Sequence, residues 1–140
     1  MNTYTFDECF IGKKECFEAD VTQAKMSQFC AMSGDVNPLH NDDDFARGRG
    51  FDGRVGYGLL SASFFSTLVG VYLPGEKCLI QEVNYKFLKP VYPGDLLEVA
   101  GEVIDRDERT KQLLLKVRIR RKSDNALMVR GKMWVVVLEN

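Results

Sequence analysis

The sequence is short of the features that mark several large classes of protein. Its 19 lysines and arginines are matched by 20 aspartates and glutamates, so there is no excess of positive charge to attract a nucleic acid. No apolar run reaches the roughly 17–25 residues that a membrane-spanning helix needs, and the longest one, around residues 59–73, contains serines. The opening stretch MNTYTFDECFIGKKEC lacks the apolar core of a signal peptide. We therefore expect a cytoplasmic protein with no nucleic-acid partner and no membrane segment.

Cysteine is scattered and histidine occurs once. The four cysteines include no C-x-x-C pair, which does not fit a disulfide framework or a zinc site. Cys30 falls on the apolar side of a predicted helix, where a free cysteine behaves as a small hydrophobe rather than as a nucleophile. We expect reduced thiols and no metal site. The cysteines are Cys9, Cys16, Cys30 and Cys78.

What the chain does contain is enough for one domain. A chain of 140 residues can bury a core without crosslinks. Its 45% hydrophobic and 28% charged residues are ordinary for a globular protein. No repeat, linker or low-complexity tract divides it, so we expect a single domain over residues 1–140.

The first predicted helix covers residues 22–32, TQAKMSQFCAM. Thr22 can cap its start, and Gly34 follows its end. Its apolar stripe consists of Met26, Phe29 and Met32.

In the second half of the chain, apolar residues recur at every second position. Such alternation indicates strands with one buried (dry) face and one solvent-exposed (wet) face, which is typical of an antiparallel sheet. Four strands are predicted, with turns at residues 93–95, 105–110 and 123–125. The alternating apolar or small positions are Leu79, Val83, Tyr85 and Phe87, then Leu97, Val99, Gly101 and Val103, then Leu113, Leu115, Val117 and Ile119, and finally Leu127, Val129, Gly131, Met133, Val135 and Val137.

A second predicted helix lies between the first helix and the predicted strands, and it runs from Gly58 to a stop at Pro74-Gly75. It carries no charge and is apolar or small on every side, so it must be surrounded by protein. Helices followed by a meander of strands indicate the α+β class. The dry face of the sheet needs a partner as well, and we expect an antiparallel sheet curved around this helix.

The only histidine lies in the segment SGDVNPLHN, residues 33–41. On a continuous helix Asp35 and His40 would be about 140° apart around the axis and could not face one reactant. Here Gly34 ends the helix, and Pro38 disfavours the helical conformation in the residue before it. Both side chains therefore belong to a tight loop, where they can point to the same side.

Two interpretations of this pair remain open from the residues alone. In the first, Asp35 and Asn37 are turn residues and His40 is a hydrogen-bonded surface group. In the second, the carboxylate and the imidazole form an acid/base unit that works near neutral pH.

The string SGDVNPLH, followed by NDDDFA and then FDGRVGYGLLSASFFSTLVG, resembles the MaoC-like (R)-specific enoyl-CoA hydratase family. The resemblance runs from about Val21 to the last predicted strand. It implies the hot-dog fold, in which a sheet wraps around one long helix. That fold agrees with the α+β architecture expected from the residue pattern.

The resemblance also implies a reaction, the addition of water across the 2,3 double bond of an enoyl thioester. Asp35 and His40 would hold and deprotonate the water and return a proton to C2. Negative charge on the thioester oxygen would be stabilised by the N–H of Gly58, which opens the second helix and has no intrahelical acceptor. Which of the two side chains moves which proton is left open.

Three further residues match positions of the family. Ser66 corresponds to a serine near the acyl pocket, although its hydroxyl could equally bond to the helix carbonyl of Ala62. Asn37 is expected to brace the loop. Tyr57 stands where the family usually has histidine, and it keeps bulk and a hydrogen-bond donor but cannot be a cation at pH 7. This difference leaves open a specialised acyl group, carried by coenzyme A or by an acyl carrier protein.

Other motifs fit this chain less well. The string GRGFDG, residues 48–53, matches G-x-G-x-x-G but follows no strand, so it does not predict a dinucleotide site. Asp42, Asp43 and Asp44 are better explained as the start of a short helix than as metal ligands. Several cations could contact the phosphates of coenzyme A, namely Arg47, Arg49, Arg54, Lys86, Lys89 and residues 120–122.

The expected partners are an acyl-thioester substrate and a second copy of the chain, because the family joins sheets into homodimers with active sites near the interface. No metal or redox cofactor is implied. Two alternative functions remain, a hot-dog acyl-thioester hydrolase and a non-catalytic acyl-thioester binder. The hydrolase commonly carries a carboxylate on the central helix, and no Asp or Glu lies between Gly58 and Gly75. The binder would not need Asp35 and His40.

Overall fold

The computed structural model describes residues 1–139, which form one antiparallel sheet packed on a helix. Neighbouring strands follow the order β1-β3-β4-β5-β2, and all four pairs are antiparallel. The predicted α+β class is confirmed. The strands are β1 (Lys14–Asp20), β2 (Cys78–Phe87), β3 (Leu96–Asp107), β4 (Gln112–Arg121) and β5 (Leu127–Val137).

The helices all precede β2. They are α1 (Gln23–Ser33), α2 (Pro38–Asn41), α3 (Asp43–Arg47) and α4 (Gly58–Thr67), which continues as one π-helical turn over Leu68–Tyr72. None of the helices within residues 1–139 is long and apolar enough to cross a membrane.

Helix α1 has the predicted ends but not the predicted apolar stripe. The side chain of Thr22 accepts a hydrogen bond from the N–H of Lys25 at 3.1 Å, and Gly34 closes the helix with a φ of +75°. Met26 is buried, but Met32 is 77% exposed. The predicted stripe is therefore wrong at Met32, although Phe29 and Cys30 pack against the core as partly buried residues.

Helix α4 packs on one face of the sheet. Phe65 and Leu68 are fully buried in the same core as the apolar residues of β3, β4 and β5. A Cβ atom on Gly101 would lie 2.9 Å from the Leu68 side chain, so a glycine in β3 lets the helix approach closely. The expectation that protein covers α4 on every side is wrong for a single chain. Leu59, Ser63 and Ser66 form an exposed stripe, and Leu59 is 66% exposed.

The alternating pattern is confirmed for three of the four predicted strands. The apolar residues on the inner face of β3, β4 and β5 are almost all buried. Strand β1 was not predicted, because its sequence KECFEAD has charged residues at both faces. It pairs with β3 at the edge of the sheet, where its Phe17 ring stacks on the Tyr72 ring at 4.9 Å.

Strand β2, at the other edge, departs from the predicted pattern. A bulge between Ile80 and Glu82 shifts its phase, so Ile80 lies opposite the buried Val135, whereas Leu79 is on the outer face. Leu79 and Val83 are 51% and 46% exposed. The predicted dry face of this strand is thus wrong in part, because the bulge turns Leu79 outward and Val83 stays partly exposed, whereas Tyr85 packs on Phe65 of α4.

Candidate functional site

The connection between α1 and α2 places the two predicted catalytic side chains. Asn37 has an extended conformation before Pro38, with φ −55° and ψ 125°, and its side chain accepts a hydrogen bond from the N–H of Leu39 at 3.0 Å. Pro38 is then the first residue of α2. Asp35 lies in the irregular connection, whereas His40 lies on the single turn of α2. The predicted loop is therefore partly helical.

A cavity of about 210 Å³ adjoins this connection. It brings together four of the predicted site residues, Asp35, His40, Tyr57 and Gly58. Asn37 and Ser66 are not among the residues that line it. The remaining lining residues are apolar, namely Phe29, Leu59 and Phe87.

His40 is anchored by the main chain of Val55. Its Nδ1 atom lies 2.7 Å from the Val55 carbonyl oxygen, and a carbonyl can only accept, so Nδ1 carries the hydrogen. The neutral ring then has its lone pair on Nε2. The N–H of Val55 in turn donates to the Leu39 carbonyl at 3.0 Å. Val55 thus holds α2 through both of its main-chain groups.

Asp35 is held mainly through its backbone. Its N–H donates to the Ser33 hydroxyl at 3.2 Å, and its carbonyl accepts from the Tyr57 hydroxyl at 2.6 Å. Its Oδ1 atom accepts from the N–H of Asn37 at 3.1 Å. Oδ2 has no partner in the described part of the chain. The side chains of Asp35 and His40 are thus bonded to different main-chain groups, and each has one atom free to meet a water molecule.

Tyr57 contacts both Asp35 and His40 and is only 2% exposed. Its ring centre is 4.1 Å from that of His40 and 4.7 Å from that of Phe29. Burial raises the pKa of the Tyr57 hydroxyl above its ordinary value, which keeps it protonated and able to donate. The N–H of Gly56 donates to the Val91 carbonyl at 2.6 Å and holds the main chain just before the ring.

Gly58 begins α4 at the wall of the cavity. Tyr57 is the N-cap residue and makes no side-chain capping bond. The N–H of Gly58 has no acceptor among residues 1–139, and it lies at the positive end of the helix dipole. A Cβ atom at this position would be 3.2 Å from the Phe87 ring, so glycine leaves room for that ring beside the helix start.

The other two predicted site residues lie near the cavity rather than in its wall. Asn37 caps α2, and its carbonyl accepts from the N–H of His40 at 3.0 Å. Ser66 lies on the exposed stripe of α4, two turns beyond Leu59. The structure contains no hydrogen bond between the Ser66 hydroxyl and the Ala62 carbonyl, so that alternative does not explain the serine.

The acidic run after α2 has a structural explanation. Asp42 caps α3 by accepting from the N–H groups of Asp44 and Phe45. Asp43 accepts from the N–H of Arg54 at 2.9 Å. The segment GRGFDG forms turns after α3, without the strand and the helix that a dinucleotide-binding motif requires.

Sequence reasoning missed the residues that anchor or line the site from a distance. Val55 acts through its carbonyl, which any residue could provide, so no side chain could have revealed it. Phe29 was placed on the apolar stripe of α1, but it is only partly buried and faces the cavity. Leu59 and Phe87 were placed correctly in α4 and β2, yet only the folded chain brings them together.

Residues 11–125 match the family model described as MaoC like domain. A 3-hydroxybutyryl-CoA dehydratase from Methylorubrum extorquens is 30% identical over 100 residues, which are 71% of this chain and 64% of that protein. An (R)-specific enoyl-CoA hydratase from Aeromonas caviae is 38% identical over 93 residues, 66% of this chain and 68% of that protein. The matched segments thus span about two thirds of these relatives.

Solved structures give the same result at the level of the fold. An unliganded R-hydratase from Pseudomonas aeruginosa superimposes with a TM-score of 0.89 at 26% identity, covering 96% of this chain and 86% of that one. An (R)-hydratase from Aeromonas caviae superimposes with a TM-score of 0.87 at 32% identity, covering 92% and 97%. The predicted hot-dog fold is confirmed.

Proposed function

This chain belongs to the MaoC-like hydratase/dehydratase family, and from that premise we propose that it is an (R)-specific enoyl-CoA hydratase that also catalyses the reverse dehydration. The observation that supports this proposal most is the shared cavity of Asp35, His40 and Gly58. A carboxylate, an imidazole with a free lone pair and an unbonded helix N–H are the three groups that the reaction requires.

In the proposed reaction, one water molecule is held between the free oxygen of Asp35 and Nε2 of His40. Nε2 accepts a proton from the water, because Nδ1 already carries the hydrogen bonded to Val55. The hydroxyl adds to C3 of the enoyl thioester, the double bond becomes single, and a proton from the pair reaches C2. One water molecule is consumed and nothing is oxidised or reduced, so the reaction needs no redox cofactor.

Addition at C3 pushes negative charge onto the thioester oxygen. We place that oxygen at the N–H of Gly58, where the helix dipole and the free donor favour an anion. Loss of one such donor typically costs about 2.7–4 kcal/mol of transition-state stabilisation. The apolar rings of Phe29 and Phe87 would exclude bulk water from this end of the cavity.

The acyl chain would continue along the exposed stripe of α4, from Leu59 to Ser66. In this proposal Ser66 contacts the acyl group and Asn37 supports His40 without reacting. The carrier could be coenzyme A or an acyl carrier protein, and both use a thioester. A cytoplasmic location stays a prediction.

A second copy of the chain is part of the proposal. Strand β2 is an edge strand with unpaired backbone groups and partly exposed apolar side chains, and it borders the exposed stripe of α4. Pairing of two β2 strands would extend the sheet and cover Leu79 and Val83. The cavity wall includes Phe87 of this same strand, so the site would then lie near the interface.

The competing functions have less support in the geometry. A hydrolase of the expected type would need a carboxylate on α4, but the exposed stripe of that helix presents Leu59, Ser63 and Ser66. A non-catalytic binder would have no use for a histidine whose tautomer is fixed.

The proposal is tested by incubating the purified protein with crotonyl-CoA. We expect loss of the enoyl absorbance, formation of (R)-3-hydroxybutyryl-CoA and no release of free coenzyme A. A chiral analysis of the product and a thiol reagent report the last two. Release of coenzyme A would identify a hydrolase instead, and absence of any turnover with short and longer enoyl thioesters would contradict the proposal.

A further inference from the structure

We propose that Tyr57 is a positioning residue, whose hydroxyl fixes the main chain at Asp35 and whose ring fixes the imidazole of His40. The inference rests on the proposed hydratase function. It gives this tyrosine a different role from that of a substrate-binding donor, because it acts on the catalytic pair and not on the thioester.

The hydroxyl of Tyr57 acts on Asp35. It donates to the Asp35 carbonyl at 2.6 Å, between residues that are 22 positions apart in the chain. Asp35 is exposed and lies in a connection without regular structure, so few other contacts restrain it. Its carboxylate is one carbon away from the backbone that Tyr57 holds. The only hydrogen of the hydroxyl is used in this bond and cannot also serve the thioester oxygen.

The ring of Tyr57 acts on His40. The two ring centres are 4.1 Å apart, with an angle of 31° between the planes. Phe29 supports the tyrosine ring at 4.7 Å. The imidazole is therefore held by the Val55 carbonyl at one nitrogen and by an aromatic surface, which together fix the direction of Nε2.

The backbone of Tyr57 completes the arrangement. It is the N-cap residue of α4, and the proposed oxyanion donor is the N–H of the next residue, Gly58. One nearly fully buried residue therefore touches Asp35 and His40 and directly precedes Gly58. Such a residue can set the distances among three groups that belong to different parts of the chain.

The test compares Tyr57→Phe with the wild type. The variant keeps the ring and removes one hydrogen bond, so we expect kcat to fall about 3- to 10-fold while KM stays within about twofold. The pH profile of kcat should keep its shape. If the hydroxyl were itself the proton donor to substrate, the limb of the profile that reports it would disappear.

A matched control is Tyr4→Phe. The Tyr4 hydroxyl donates to Glu15 at 2.8 Å, outside the cavity. Its removal also deletes one hydrogen bond, but we expect no change in kcat. An equal fall of kcat in both variants would show a general effect of lost stability and would overturn the inference.

The decisive comparison repeats Tyr57→Phe in the Asp35→Asn background. Because the Tyr57 hydroxyl acts on the reaction through Asp35, its removal should cost much less there than in the wild type. An equal cost in both backgrounds would overturn the inference, as would a Tyr57→Phe variant that circular dichroism shows to be unfolded. Failure of the proposed function is recognised separately, since the wild type would then not hydrate any enoyl thioester.

Discussion

The hydrogen bond between Nδ1 of His40 and the Val55 carbonyl leaves Nε2 as the ring nitrogen that can accept a proton. A histidine in water prefers the opposite arrangement, with the hydrogen on Nε2. The fold therefore selects the tautomer that can accept a proton from water, and it does so with a main-chain atom. The proposed reaction requires this tautomer of His40, and the position of the hydrogen can be measured without any substrate.

The first prediction concerns this tautomer. In the neutral ring, we expect His40 to carry its hydrogen on Nδ1. Long-range ¹H–¹⁵N NMR distinguishes the two nitrogens, and His40 is the only histidine of the chain, so in tag-free protein its signals need no assignment. The same protein in urea should revert to the Nε2–H form. A folded protein with the Nε2–H form would contradict the proposed role of His40 as the base.

At this scale the sequence predicted that Asp35 and His40 lie together better than it predicted the groups that hold them. A glycine and a proline that interrupt a helix allow the two side chains to point to the same side, whereas their proposed catalytic role came from the family resemblance. Their anchors lie elsewhere, since Val55 is 15 residues from His40 and Tyr57 is 22 residues from Asp35. A backbone carbonyl has no signature in a sequence, and contacts over such separations depend on the finished fold.

At the scale of elements, the fit between strands and helix depends on positions without a side chain. Gly131 in β5 lies opposite Tyr85 in β2. A Cβ atom there would collide with the Asn84 carbonyl oxygen and lie 2.7 Å from the Tyr85 ring. That ring packs on Phe65 of α4 at 4.9 Å, so the glycine also allows the contact between β2 and the central helix.

The second prediction follows from this contact. We expect Gly131→Ala to lower the free energy of unfolding by about 1–3 kcal/mol, the usual range for overpacking, because β2 must move away from β5. Urea denaturation measures the change. Gly70→Ala is the matched control, since a Cβ atom on Gly70 meets no neighbouring atom within 4 Å and we expect no loss of stability. Equal stability of the two variants would contradict the described packing.

The elements differ in how well the sequence predicted them. The apolar faces of β3, β4 and β5 followed directly from their period of two, because these strands lie inside the sheet. Strand β1 could not be recognised, since only Phe17 among its large residues is apolar and a neighbouring strand provides the rest of its support. The bulge near Gln81 in β2 shifts the phase without any glycine or proline to indicate it.

At the scale of the whole molecule, apolar surface remains exposed where the sheet ends. Strand β2 exposes Leu79 and Val83, and the adjoining stripe of α4 exposes Leu59. The residue pattern predicted that both segments are buried. Their exposure in the single chain is expected if a second copy covers them in an assembly. The sequence identifies apolar residues but not the chain that covers them.

The third prediction is a homodimer that depends on β2. Multi-angle light scattering should give twice the chain mass for the wild type. We expect Leu79→Lys to shift the protein toward the monomer, because a charge on an edge strand opposes pairing. Met32→Lys, at an exposed residue of α1, should leave the dimer intact. A monomeric wild type would contradict the proposed assembly but not the proposed chemistry.

The cooperation of Asp35 and His40 is tested most directly by a double-mutant cycle of enoyl-CoA hydration. We predict that Asp35→Asn and His40→Ala each lower kcat/KM by about 10²-fold or more, with both variants folded by circular dichroism. If the two groups act on one water molecule as proposed, the double variant should be little slower than the slower single variant. Full activity in either single variant, or losses that multiply in the double variant, would contradict a joint action of the two side chains.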